Sequence, residues 1–131
     1  MRTRALGSAA TVAIVFGALT ISAGGLALFA RPETRAAFGD AVPFVLWFNF
    51  AAGFAYVIAG VGILKMRPWA VWLSAMIALA TVGILAAFLL HVLQGGAYEL
   101  RTVVAMLVRA ALWIIITIIA MRQIGGGAPD D

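Results

Sequence analysis

Four long runs of apolar residues, at about 5–30, 42–64, 69–93 and 102–121, take up most of the 131-residue chain. A helix needs about 20 such residues to cross a hydrocarbon core about 30 Å thick. Strands of a membrane barrel would need only about 9–11 residues with alternating polarity, and the runs show no alternation, so they predict helices. Pro43 and Pro68 stand where the second and third runs begin, a place where a missing amide proton costs nothing. Gly95-Gly96 and Gly125-Gly126-Gly127 end the third and fourth. Lys65 and Arg122 fall in last turns, where the negative end of the helix dipole favours a cation. The links are short, which makes consecutive helices antiparallel neighbours. The pattern therefore predicts an all-α membrane protein: an antiparallel four-transmembrane-helix bundle over 1–124 and a disordered cytoplasmic tail over 125–131.

Composition narrows the chemistry. The chain is 65% hydrophobic and 11% charged with a mean hydropathy of +1.11, against about 45–50% and about 25% in soluble domains. It has no cysteine, so disulfides, thiolate metal sites and thiol redox chemistry are excluded. The net charge of +4 comes largely from arginine. In a membrane protein such residues set orientation and meet acidic lipid, so no nucleic-acid partner is expected. Arg2, Arg4, Lys65, Arg67 and Arg122 fall on one side, Arg31, Arg35 and Arg101 on the other. The more basic side is cytoplasmic, which places both termini there. Arginine bias with abundant Ala and Gly points to a bacterial inner membrane. The first run outlasts a signal-peptide core of about 7–15 residues and is read as a retained span.

Polar residues inside spans are costly and mark the first places to look for function. Counting 1.5 Å per residue from the outer ends puts Arg109 about 10 Å deep, Asn49 about 9 Å, His91 about 6 Å and Ser22 about 12 Å. Asn49, Gly53, Tyr56 and Gly60 share one stripe of the second helix, and small residues favour helix contact in lipid. Ala105, Arg109 and Trp113 are four apart on the fourth helix, so the guanidinium is expected over the Trp113 indole. His91 shares its stripe with Ala87 and Gly83, and Tyr98, Glu99 and Arg101 would lie over the mouth of a common outer-half pocket. Simpler readings stand beside each: Arg109 snorkels or clamps Glu99, His91 is a wet interface histidine, Asn49 and Tyr56 bond between helices, and Glu99 serves the dipole of the fourth helix.

The inventory excludes much. A single histidine cannot supply bis-histidine haem ligation within one chain, and one histidine with one carboxylate is too few ligands for zinc or copper. The serines lack a base within clear reach, no paired carboxylates occupy a span, and no phosphate loop is present. No cofactor is expected. What remains compatible is recognition of acceptor oxygens by Asn49, His91, Tyr98 and Arg109, or a contact with another membrane subunit.

The residues Asn49-Phe-Ala-Ala-Gly53-Phe-Ala-Tyr56, His91, Tyr98-Glu99-Leu-Arg101-Thr102 and Arg109 form a pattern that resembles small four-span bacterial membrane proteins of the DoxX-like size class. The likeness covers size and span count, and it implies a place beside membrane redox systems. The expectation is a non-catalytic accessory or structural subunit of a larger, redox-associated membrane complex. The alternative is a binding or transport protein for an anionic or quinone-like small molecule, with an intramembrane enzyme third. Lipid is the constant partner, joined by other membrane subunits or a second copy.

Overall fold

The computed structural model describes residues 4–29, 43–98 and 100–125. Among them the chain is helical, without a strand: α1 (Arg4–Phe29), α2 (Pro43–Leu64), α3 (Pro68–Leu93) and α4 (Leu100–Ala120), the last running on into a π-helical turn at Met121–Gly125. All four are long and apolar enough to cross a membrane. The fourth starts two residues ahead of the position its hydropathy suggests. The expected tail falls mainly outside the described residues.

The helix ends follow from backbone chemistry. At the end of α3 the Gly95 and Gly96 amides donate to the carbonyls of Val92 and His91 at 3.0 and 2.9 Å. That pair of bonds satisfies two carbonyls the helix would leave orphaned, and it needs the left-handed φ of +85° that Gly95 supplies. The end of α2 repeats the motif with Met66 and Arg67 donating to Ile63 and Gly62, both at 2.9 Å. Here the left-handed position, φ 56°, is held by a methionine. Pro68 then opens α3 with its ring at the first turn.

Packing between α1 and α2 rests on small residues. Ala10, Ala13, Gly17, Thr20, Gly24 and Ala27, alternately three and four apart, form the buried stripe of α1. A Cβ on Gly17 would stand 2.7 Å from Val57 Cγ2 and 2.8 Å from the Gly53 carbonyl oxygen. Gly60 meets the Ala10 carbonyl oxygen and Gly24 meets Phe50 in the same way, so only glycine lets the backbones approach this closely. The core that results gathers Leu6, Tyr56, Ile63, Ile77, Trp113 and Ile116 from all four helices. Little of each helix is spent on it: between 28% and 33% of the most apolar window is buried. The remaining face carries large apolar side chains outward, among them Leu79, Leu90, Leu107 and Ile115.

Candidate functional site

Among the described residues, Arg109 is the cation set furthest from a helix end. Arg109 lies nine residues into α4 and Thr20 nine residues from the end of α1, each about 14 Å along its helix, close to half the thickness of a hydrocarbon core. The Arg109 guanidinium is partly buried, and its Nη1 donates to Thr20 Oγ1 at 3.1 Å and to Tyr56 Oη at 3.3 Å. Its Cζ stands 4.8 Å from the centroid of the Phe16 ring and 5.9 Å from that of Tyr56. Phe16 and Tyr56 stack at 5.7 Å with planes 6° apart, and Trp113 packs on Tyr56 at 4.9 Å. Three helices thus build the site: α1 gives Phe16 and Thr20, α2 gives Tyr56, α4 gives Arg109 and Trp113.

The electrostatics of the cluster are one-sided. A guanidinium is not deprotonated in proteins, and a charge at mid-span costs about 2.5–3.5 kcal/mol even on the mildest scales. Bonds from a charged donor return about 1.5–3 kcal/mol each, and a desolvated cation over a ring about 2 kcal/mol. These contacts hold the charge in place with neutral groups alone: no Asp or Glu occurs among the described residues. Two buried donors of the cluster, Arg109 Nε and Trp113 Nε1, have no acceptor. The cluster thus combines a positive charge with buried donors that the described residues leave without an acceptor.

Of the residues predicted from sequence, the structure brings Tyr56, Arg109 and Trp113 together. The rings under the guanidinium are Phe16 and Tyr56, and Trp113 reaches it through Tyr56 instead of lying beneath it. The reason is rotation: Ala105 faces outward while Met106, Ala110, Trp113 and Thr117 line the buried side of α4. His91 and Tyr98 form a separate group at the α3 end. The His91 Nε2–H donates to the Ala97 carbonyl oxygen at 2.9 Å, and the ring lies between Phe44 and Phe88. Tyr98, exposed, sets its edge on Phe88 at 6.5 Å. The Gly83–Ala87 stripe expected to turn His91 inward is exposed, and α3 buries Ala70, Ser74, Ile77, Ala78, Thr81 and Phe88 instead. Asn49 is partly buried with its Oδ1 unpartnered. Arg101 is exposed, and Glu99 lies outside the described residues.

Thr20 and Phe16 are the cluster members that sequence reasoning missed. Depth favours Ser22, but Ser22 is exposed and donates to the Ala18 carbonyl oxygen at 3.0 Å. The signal for Thr20 is its place in the small-residue stripe that runs from Ala10 to Ala27. No protein-family model, curated protein or solved structure matches the chain.

Proposed function

We propose that the protein is a small multi-pass membrane protein, an antiparallel four-helix bundle in a bacterial inner membrane with both termini cytoplasmic. In this reading it works as a non-catalytic accessory subunit of a larger membrane assembly. Insertion is supported by four long apolar helices whose outward faces are almost wholly hydrocarbon. Antiparallel packing is supported by the order of contacts, with Gly24 against Phe50, Gly17 against Gly53 and Gly60 against Ala10. Orientation rests on the basic asymmetry of the sequence, and the link to redox assemblies on the DoxX-like resemblance.

The observation that carries the subunit role is Arg109, a charge fixed by two hydroxyls and two rings with Nε left over. Intramembrane cations pair with acidic groups, and a carboxylate on a partner helix would meet the planar fork of donors. The same donors favour a second reading, in which a small carboxylate or quinone-like ligand provides the acceptor oxygens. Purification of the tagged chain from its native membranes separates the two. A larger membrane protein recovered in stoichiometric amount supports the subunit role. An isolated monomer or homo-oligomer carrying a small molecule overturns it in favour of the second.

A further inference from the structure

Beyond Arg109, α1 and α4 leave an open groove on the outside of the core they share. The Arg109 to Thr20 bond ties them near their middles, and one turn further along α4 the groove, of about 250 Å³, begins. Its walls are Ala5, Ser8, Ala9 and Val12 on α1 facing Leu112, Ile115, Ile116 and Ile119 on α4. Ser8 provides the only polar side-chain atom of that lining. The groove stays open because the α1 wall carries alanine and serine, side chains too short to cover Leu112, Ile115 and Ile119 from that side. At one end the groove runs out at Ala5 and Ile119, and just beyond stand two exposed cations, Arg4 on α1 and Arg122 in the π-helical turn.

We infer that this groove is a binding site for an anionic phospholipid of the leaflet on the terminal side of the bundle. One acyl chain lies between α1 and α4 and the headgroup phosphate lies between Arg4 and Arg122. Each part of the lipid meets its complement: hydrocarbon against Ala, Val, Leu and Ile walls, a phosphate against two guanidinium groups, which bind it through paired donors. The volume is below the about 300–1,000 Å³ of drug-sized sites and suits a stretch of one acyl chain, and the two cations at the end of the groove match a phosphate where an apolar helix face would offer them no counter-charge. The inference rests on the membrane reading given above and is independent of the partner assigned to Arg109.

The test is lipid retention by the full chain reconstituted in vesicles of equimolar phosphatidylglycerol and phosphatidylcholine, then extracted in mild detergent and weighed by native mass spectrometry. One basic residue near the surface favours an anionic lipid about fivefold and two about 30-fold, so the wild type should retain one phosphatidylglycerol in about that preference. Arg4→Gln with Arg122→Gln should bring the preference close to one while lipid is still retained. Ser8→Phe, at an exposed position that fills the groove, should lower retention of both lipids, and Arg109→Leu should leave retention unchanged. Equal retention of the two lipids by the wild type, or an undiminished preference in the double variant, overturns the site. Displacement of the lipid by inorganic phosphate alone overturns it too, reducing the arginines to a simple anion patch. A chain that does not enter the vesicles overturns the membrane reading and this inference with it, whereas a chain that enters without lipid preference removes only the groove.

Discussion

Arg109 donates to Thr20 across 89 residues of sequence, tying the fourth helix to the first by a bond from a charge to a neutral hydroxyl. The consequence for stability differs from that of an ion pair. Removing a member of a buried ion pair strands its partner charge, at about 3–5 kcal/mol. Among the described residues, removing Arg109 strands only the hydroxyls of Thr20 and Tyr56 and no opposite charge. Thr20→Val and Tyr56→Phe should therefore each destabilise the detergent-purified chain by about 1.5–3 kcal/mol, because they take acceptors from a charge. Each should lose most of its effect in an Arg109→Leu background, and a double-mutant cycle of thermal melts checks this.

Glycines of this bundle should divide by sign. At Gly17 a Cβ would press on Val57 and the Gly53 carbonyl, so Gly17→Ala should cost about 1–3 kcal/mol as α1 and α2 are forced apart. Gly83 lies mid-helix with nothing within 4 Å of such an atom. Gly83→Ala should stabilise by about 0.5–1 kcal/mol through helix propensity alone. Paired unfolding curves of the two variants in one detergent give the answer, and equal effects would remove the close-approach account.

The turns supply a second pair of opposite signs. Gly95→Ala puts a Cβ at φ +85° and should destabilise by about 1 kcal/mol. Met66→Gly releases a left-handed methionine at φ 56° and should regain about 1 kcal/mol, reduced by the packing that Met66 gives to the core. Melting temperatures moving in opposite directions are the expected outcome.

Much of the architecture was legible because a hydrophobic stretch of span length has few other uses, and because Pro68 and Gly95 leave backbone signatures at the ends they mark. Rotation about each axis was harder. A helix that is apolar all round carries almost no amphipathic signal, and only depth and small residues then hint at its rotation. On α1 the small-residue rule would have found Thr20, since the stripe from Ala10 to Ala27 passes through it. On α3 the same rule pointed to Gly83 and Ala87, which face outward, because a small residue on an apolar helix is as compatible with a lipid face as with a contact. Tyr56 is legible because its stripe also carries Gly53 and Gly60, whose backbones do touch α1.

The proposed topology rests on the basic asymmetry of the sequence and can be read in cells. Reporters fused after Lys65 and after Arg122 should both register as cytoplasmic, and one after Gly96 as external. A periplasmic signal from the Lys65 fusion would reverse the bundle and with it the leaflet assigned to the α1–α4 groove.

The most direct measurement of the central claim is partner recovery from native membranes by the tagged wild type, Arg109→Leu and Arg109→Lys, with the melting of each purified chain taken alongside. The account predicts that Arg109→Leu still folds, its melting lowered only by the loss of the contacts to Thr20, Tyr56 and Phe16 and not by a stranded carboxylate of the described residues, yet recovers no partner. Arg109→Lys should recover part of it, because a point charge cannot reproduce the planar fork of donors. Undiminished partner recovery by Arg109→Leu would contradict the account and leave the guanidinium as an internal clamp between α1, α2 and α4.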